Sequence, residues 1–214
     1  MAAPAPERRR DADRTRNDIL EVADREFADH GYSGARVDEI AARTRTTKRM
    51  IYYYFGSKQQ LYQAVLERAY SQIRQAEQDV SIDQADPVAA IRSLAEVTFD
   101  HHESHPDFIR LVTIENIHRG EHISRSAEIV MVNSPAIELI TRILKRGHAE
   151  GAFRRPADAV DVHMMISGFC FFRVANRHTF GAIFGRDLTD PALRDRYRTM
   201  VGDMIVSYLT SAGS

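Results

Sequence analysis

A short basic and aromatic segment, RTRTTKRMIYYYFGSK at residues 43 to 58, carries the clearest chemistry in the chain. It contains five positive side chains and no negative one: Arg43, Arg45, Lys48, Arg49 and Lys58. Cations at this density bind the phosphates of a polyanion, because each contact releases condensed counterions. Tyrosine hydroxyls beside them can donate hydrogen bonds to phosphate oxygens while their rings stay packed. The segment therefore indicates a local anion-binding surface.

The overall charge restricts where such a surface can be. The chain has 214 residues, 29 Lys plus Arg against 30 Asp plus Glu, and a formal net charge of -1. This balance excludes a globally basic protein. The single cysteine, the absence of an apolar run long enough to span a bilayer, and an N-terminus without a signal-peptide core lead us to expect a cytoplasmic protein.

The apolar spacing before and within the basic segment predicts three helices. One runs from about residue 14 to residue 30, after a flexible arm at residues 1–13, and HGYSG ends it. A second, short helix contains Val37 and Ile40, and a third runs from Thr46 or Thr47, as its cap, to about Tyr54. Two short helices joined by a tight turn form a helix-turn-helix unit, whose second short helix can lie in the major groove of DNA.

The side chains of the third helix divide into two groups by their helical spacing. Those expected to reach base edges, phosphates or both stand at its N-terminal end and on its outer face: Thr47, Lys48, Arg49, Tyr52 and Tyr53. Those expected to pack into the three-helix core are Ile51, Tyr54 and Phe55.

The apolar spacing predicts helices in the remainder of the chain as well, and the alternation with period 2 that is typical of strands is absent. Capping residues or first-turn prolines predict later helix starts at Ser57, Asp86-Pro87, Pro106, Ser134-Pro135, Asp158 and Asp190-Pro191. The Asp158 helix is expected to run to about Thr179. The predicted fold class is all-α, with nine or ten helices, a three-helix head and a larger helical body.

The segment from Ile19 to Tyr70 closely resembles the N-terminal domain of TetR-family transcriptional regulators. The matching residues are Phe27, Gly31-Tyr32, Val37, Ile40-Ala41, Tyr52-Tyr53-x-Phe55, Gly56-Ser57-Lys58 and Leu61. The resemblance implies a DNA-binding domain at residues 14–59 and a ligand-binding and dimerisation domain at residues 60–214. HPDFIRLVTIENIHRG and GFCFFRVANRHTFGAIFG look similar to the branch that contains pyrimidine-utilisation and nicotinate-degradation repressors.

The resemblance also implies site residues and two departures. The DNA-binding set is Arg36, Arg45, Thr46, Thr47, Lys48, Arg49, Tyr52, Tyr53 and Lys58, the last at the family's phosphate-binding lysine position. Arg45 stands where the family's turn usually has a glycine, so a left-handed conformation there has a cost. Ala35 stands where a Ser or Thr usually caps the second helix.

In the helical body, two predicted helices each have an apolar face with polar side chains at its C-terminal end. Glu115 follows Phe108, Leu111 and Val112, and Arg173 and Asn176 follow Val162, Ile166 and Phe169. One interpretation is that Glu115 and Arg173 pair with each other. The other is a mostly apolar pocket in which an arginine suits a small aromatic acid or nitrogen heterocycle. The candidate ligand-binding residues are Glu115, His118, His163, Phe169, Arg173 and Asn176.

Two further features of the body are assigned no chemistry. HHESH places His101 and His105 one turn apart, but no third metal ligand is evident, and solvated side chains are expected before Pro106. Cys170 is expected in the core or in a subunit interface. We therefore predict neither a metal nor a cofactor.

The last two long helices hold more apolar surface than one monomer needs, and Gly168 would let another helix approach closely. We therefore predict a homodimer. Its two recognition helices, related by a two-fold axis, would bind a palindromic operator in double-stranded DNA. The family resemblance implies a small-molecule effector that releases the protein from this operator. The alternatives are a sequence-tolerant architectural DNA-binding protein, which the near-neutral charge disfavours, and an activator of the same fold. An enzyme is not expected, because no nucleophile with a positioned base and no phosphate-binding glycine loop is evident.

Overall fold

The computed structural model describes residues 6–78 and 85–212. Within these ranges the chain forms ten α-helices, two short 3₁₀ helices (Ile123–Arg125 and Pro191–Leu193) and no strand, which confirms the all-α class. The α-helices are α1 (Pro6–Gly34), α2 (Val37–Arg43), α3 (Lys48–Phe55), α4 (Lys58–Gln78), α5 (Pro87–Ser104), α6 (Pro106–Ile117), α7 (Ala127–Ala149), α8 (Ala159–Ala175), α9 (Arg177–Phe184) and α10 (Arg194–Thr210).

The helices form two compact units. The first comprises the chain up to Ala69 together with Arg110–Ser126, and the second comprises Tyr70–Ile109 with the residues from Ala127 onward. This division differs from the boundary expected between residues 59 and 60, because α4 and α6 each contribute residues to both units. The functional boundary at that point stays a prediction.

The first unit is built on the apolar faces of α1 to α4. Its buried side chains include Ile19, Phe27, Ile40, Ile51 and Leu61, each fully enclosed. Gly56 ends α3 with φ 78, and a Cβ there would clash with the Gln60 side chain. The backbone N–H of Gln60 donates to Ser57 Oγ at 3.2 Å, so the predicted capping residue opens α4.

The second unit has its core between α5, α7, α8 and α10. Ile91, Phe99, Val162, Val201 and Ile205 are all enclosed there. Three aspartates predicted to open helices accept backbone N–H groups at the expected places: Asp86 from Val88 and Ala89, Asp158 from Val160, and Asp190 from Ala192. These caps satisfy donors that a helix leaves unpaired at its N-terminus.

Two predicted helix starts are wrong. Helix α1 begins at Pro6 and not near Arg14. The side chains described just before Arg14 are mostly exposed, so the sequence there has no apolar periodicity that would indicate a helix. Residues 1–5 of the expected arm lie outside the described residues. Helix α7 begins at Ala127 and keeps Pro135 in its interior. Proline removes one helical hydrogen bond, but Ile129 before it and Ala136 after it are both buried, which stabilises one continuous helix.

The helix predicted from Asp158 to about Thr179 is divided into α8 and α9. Asn176 lies between them with φ -100 and ψ 6, and its side-chain amide donates to the Phe172 carbonyl at 3.3 Å. Asparagine competes for backbone groups in this way at helix ends. The apolar character on both sides of Asn176 concealed this break in the sequence.

Candidate nucleic-acid interface

The turn between α2 and α3 consists of residues 44 to 47. Arg45 adopts the left-handed conformation with φ 52, as expected for the glycine position it occupies. The turn is closed by backbone hydrogen bonds from Thr44 N–H to the Ile40 carbonyl at 3.0 Å and from Thr46 N–H to the Ala41 carbonyl at 3.1 Å. The helix-turn-helix geometry is therefore retained with an arginine at a strained position.

Replacing Arg45 by glycine is expected to stabilise the protein. A non-glycine residue in the left-handed region costs about 1–2 kcal/mol, and glycine's larger unfolded-state entropy offsets about 0.5–1 kcal/mol of that gain. Arg45→Gly should therefore raise the free energy of unfolding by several tenths of a kcal/mol to about 1 kcal/mol, measured by urea denaturation. Arg49→Gly, inside α3, should lower it by about 1 kcal/mol. A loss of stability in both variants would contradict the assigned strain.

Helix α3 separates its buried and exposed faces as the spacing predicts. Ile51 and Phe55 are buried, and Tyr54 is half-buried against the Phe55 ring. Thr47 caps the helix, because its hydroxyl oxygen accepts the Met50 N–H at 3.2 Å. The opposite face is exposed, and the Tyr53 side chain is the most exposed of the three tyrosines at 78%.

Two lysines on this surface have partners within the chain. Lys48 Nζ lies 3.1 Å from Asp38 Oδ2 in an exposed ion pair. Lys58 Nζ is 3.4 Å from the Ser33 carbonyl oxygen and 5.1 Å from the centroid of the Tyr32 ring. Burial lowers the pKa of Lys58, and the Glu26 carboxylate partly opposes that shift. Lys58 is thus held in place at the start of α4.

Glu26 is a structural residue that sequence reasoning missed. Its side chain is buried, and Oε1 accepts the Arg36 N–H at 3.0 Å at the N-terminus of α2. Arg43 Nη1 lies 3.5 Å from Oε2. A carboxylate from α1 thereby occupies the role of the cap that Ala35 lacks. The available signal was a charged residue on the buried face of α1.

All nine predicted DNA-binding residues belong to the first unit. Those with exposed side chains are Arg36, Arg45, Thr47, Lys48, Arg49, Tyr52 and Tyr53, and those with partly buried side chains are Thr46 and Lys58. The arrangement offers cations, hydroxyls and a helix N-terminus on the accessible side of α3. Such groups can donate to phosphate and base oxygens, and their contact with DNA stays a prediction.

The six candidate ligand-binding residues are divided between the two units, and their role in binding a ligand stays a prediction. Glu115 belongs to the first unit, where its carboxylate accepts hydrogen bonds from the Tyr62 hydroxyl at 3.0 Å and from the backbone N–H groups of His122 and Ile123 at 3.1 and 3.2 Å. His122 Nδ1 lies 3.0 Å from Oε1. His118 is exposed near the end of α6. Glu115 therefore has a full set of structural partners.

Arg173 belongs to the second unit and also has partners. Its guanidinium lies 3.0 Å from Glu103 Oε1, donates to the Leu188 carbonyl at 2.9 Å and stacks 4.0 Å from the centroid of Phe99. Glu115 and Arg173 each have partners within their own unit, so neither depends on the pairing that the spacing suggested. Sequence spacing could identify two polar groups that needed partners, but it could not match partners across long separations.

Phe169 and Arg173 line a groove of about 550 Å³ between α8, α9 and α10. Its other lining residues are Met164, Met165, Gly168, Phe172, Phe180, Leu188, Tyr197 and Met204. Several of these apolar side chains are exposed, including Met164, Phe172 and Met204. Asn176 is partly buried at the end of α8.

His163 is associated with a set of buried polar residues that the sequence did not reveal. We define this buried polar cluster as the buried residues Arg74, Glu77, His101 and His102, from α4 and α5, together with the partly buried His163 on α8. The expectation that HHESH is solvated is wrong for His101 and His102, which are 5% and 4% exposed. Their rings contact Phe108 edge-on, with centroids 5.6 Å apart in both cases. His105 is exposed, as expected.

Metal ligation and the reactivity of Cys170 are the next two features that the structure describes. Among the described residues, no set of three or more His, Cys, Asp or Glu side chains could hold a metal ion. Cys170 is buried in the core of the second unit, and burial raises the pKa of its thiol to about 12. No helix among the described residues is long and apolar enough to cross a membrane.

The fold and the exposed recognition helix define a helix-turn-helix DNA-binding regulator. Residues 19–65 match the model of the bacterial regulatory proteins of the tetR family, and residues 87–205 match that of the tetracyclin repressor-like C-terminal domain. The chain belongs to the TetR family of transcriptional regulators, which confirms the resemblance seen in the sequence.

Proteins similar to this chain are also transcriptional regulators. The chain is 35% identical over 197 residues to the HTH-type transcriptional repressor NicS of Pseudomonas putida, covering 92% of this chain and 93% of that protein. It is 37% identical over 111 residues to the repressor SCO4008 of Streptomyces coelicolor, covering 52% and 54%. The solved structure of the transcriptional regulator SCO4942 from the same species matches with a TM-score of 0.68 at 29% identity, covering 89% and 97%.

Proposed function

We propose that this regulator represses transcription as a homodimer on a palindromic operator in double-stranded DNA, and that a small-molecule effector releases it. The observation that carries the proposal is the exposed face of α3, which offers Lys48, Arg49, Tyr52 and Tyr53 while Ile51 and Phe55 anchor the helix in the core. The proposed site of action is the cytoplasm, where the chromosome is accessible, and no enzymatic activity is proposed.

An exposed apolar surface supports the homodimer. We define the apolar face as Val160, Met164, Gly168 and Phe172 of α8 together with Met204 of α10. The four α8 residues recur every fourth position and thus lie along one side of the helix. A Cβ built on Gly168 would meet nothing within 4 Å, so a second helix could approach closely there. Contiguous exposed apolar surface of this kind is typical of an interface.

Two-fold symmetry then determines the operator. Two α3 helices related by a dyad reach two half-sites that lie about 34 Å, or a multiple of it, apart. Release by an effector requires that the effector bind the DNA-free conformation more tightly than the DNA-bound one.

The proposal is tested by titrating the purified protein against the DNA upstream of its own gene, with a scrambled fragment as competitor, at two salt concentrations. Preferential binding that persists at about 200 mM salt is expected of a specific operator complex. Equal binding to both fragments, and to sites then selected from random DNA, would instead favour an architectural protein.

Replacing Lys48 by alanine is expected to weaken operator binding about 10-fold, with little change in thermal stability. The loss of one phosphate contact should also reduce the salt slope by about 1. The ion pair with Asp38 is exposed, so its removal changes stability by at most about 1 kcal/mol. Lys145→Ala is the matched control, since Lys145 is exposed on α7 of the second unit. Equal affinity of both variants for the operator would exclude Lys48 from the interface.

A further inference from the structure

The buried polar cluster of the second unit combines permanent charge with deep burial. Arg74 and Glu77 lie one turn apart on α4, with exposed fractions of 6% and 2%, and Arg74 Nη1 lies 2.6 Å from Glu77 Oε2. His101 and His102 stand near the end of α5, and His163 stands on α8. Burial lowers the pKa of all three histidines, and the charge of Arg74 adds to that shift.

Four buried polar atoms of this cluster have no hydrogen-bond partner within the described part of the chain. They are Arg74 Nε, both ring nitrogens of His101, and Nδ1 of His102. Each buried polar group left unpaired costs about 1–3 kcal/mol. A stable core would not keep four such atoms together for packing alone, because leucine or phenylalanine would fill the same space without that cost. Atoms of this kind are satisfied by ordered water or by a bound ligand.

The hydrogen-bonding capacity of these atoms restricts what that partner is. Burial lowers the pKa of His101 to about 3 and of His102 to about 4, so both rings are neutral at pH 7. The unpaired Nδ1 of His102 can be a donor or an acceptor, depending on the tautomer of the neutral ring. Neutral His101 provides one donor and one acceptor, and Arg74 Nε–H is a charged donor. The partner must therefore offer at least one acceptor and at least one donor.

Charge and shape add two further restrictions. A guanidinium edge suits a carboxylate. The Phe108 ring meets both histidine rings edge-on and lies 5.4 Å from the Tyr70 ring, so aromatic rings line this region. A mostly aromatic lining with a few polar groups is typical of sites for small planar ligands. Arg173 Nε and Nη2 are also buried without a hydrogen bond to any described residue, although the Arg173 guanidinium lies 3.0 Å from Glu103 Oε1 and donates to the Leu188 carbonyl through Nη1.

We infer that the buried polar cluster is the effector site, and that the effector is a small aromatic or heteroaromatic monocarboxylate that also carries a hydroxyl or ring N–H donor. Its carboxylate contacts Arg74 Nε, and its donor contacts a histidine lone pair. This assignment rests on the proposed function, because it identifies the site through which a small molecule would release the operator.

Binding of a carboxylate at Arg74 should be coupled to proton uptake by Glu77. Burial raises the pKa of Glu77 to about 7, against the opposing effects of Arg74 on its own helix and of Thr98 on α5. The remaining titratable groups of the cluster, His101, His102 and His163, are neutral at this pH. A second anion near Arg74 raises the Glu77 pKa further, so affinity should fall as pH rises from 6 to 8.5.

The test is isothermal titration calorimetry of the full-length protein with benzoate, the three monohydroxybenzoates, the three pyridine monocarboxylates and phenol. At least one substituted carboxylate is expected to bind about 10-fold more tightly than benzoate, and phenol is expected not to bind. Arg74→Gln should weaken that binding at least about 30-fold, whereas Arg92→Gln, which alters a partly exposed arginine of α5 paired with Asp203, should leave it unchanged. Absence of binding by every carboxylate, or unchanged affinity in Arg74→Gln, would overturn the assignment.

A second variant separates a ligand contact from a structural role. His101→Leu removes a ring whose two nitrogens are unpaired, so it should raise the melting temperature of the free protein while abolishing binding of the carboxylate. A lower melting temperature together with intact binding would assign His101 to the core only. Operator binding is measured in parallel without effector. Operator binding with no carboxylate response rejects this site alone, whereas carboxylate binding with no operator binding rejects the proposed function alone.

Discussion

A Phe172→Glu variant is expected to be monomeric and to bind the operator at least about 100-fold more weakly than the parent protein. Phe172 is 49% exposed in the apolar face and lies beside Gly168, where a partner helix can approach closely. A carboxylate there would have to be desolvated in a dimer without a cation to pair with. Because two linked recognition helices gain about 10²–10⁴ in avidity, the monomer loses most of the affinity. Sedimentation velocity and operator titration measure the two effects.

The matched control for this change is Val130→Glu. Val130 is 65% exposed on α7 and does not belong to the apolar face. This variant should remain dimeric and retain its operator affinity. The opposite result, a dimeric Phe172→Glu and a monomeric Val130→Glu, would move the interface to α7. Retained α-helical circular dichroism in both variants would show that the change in assembly is not caused by unfolding.

The first unit could be predicted closely because its signals are local. The apolar period of α1, the Thr47 cap and the burial of Ile51 and Phe55 depend on residues within one or two helical turns. The left-handed conformation of Arg45 was expected from the family resemblance, because Arg45 stands where the family's turn usually has a glycine. The link from Glu26 to the start of α2 could not be predicted in this way, because it joins residues ten positions apart on different helices.

Predictions for the second unit were limited because the sequence does not show which side chains pair or pack across long separations. Spacing alone indicated that Arg173 was a polar group on an apolar stripe, but the partner is Glu103, seventy positions earlier by number and on α5. The segment HHESH was expected to be exposed to solvent because it is polar and precedes a proline. In the structure α5 packs against Phe108, which encloses the rings of His101 and His102. A buried histidine and an exposed one have the same sequence signal, so only tertiary packing distinguishes them.

Arg173→Met is expected to lower the free energy of unfolding by about 1–3 kcal/mol. The guanidinium is 3% exposed, so its loss leaves the Leu188 carbonyl without its donor, whereas Glu103 keeps the Arg194 cation at 2.7 Å. A buried polar group that loses its hydrogen-bond partner has an effect of this size. For a protein of this length the expected decrease in melting temperature is about 2–12 °C, measured by circular dichroism or calorimetry.

Arg194→Met provides the comparison, because Arg194 contacts the same carboxylate at 2.7 Å but is 39% exposed. Its loss should change stability by at most about 1 kcal/mol. If Arg173→Met instead retained full stability and operator binding but lost its response to a carboxylate, Arg173 would be the ligand-binding arginine that its position on the apolar stripe first indicated. The effector would then lie in the groove between α8, α9 and α10, and Arg74→Gln should respond normally. The two variants thus give opposite results for the two sites, and measuring both decides between them.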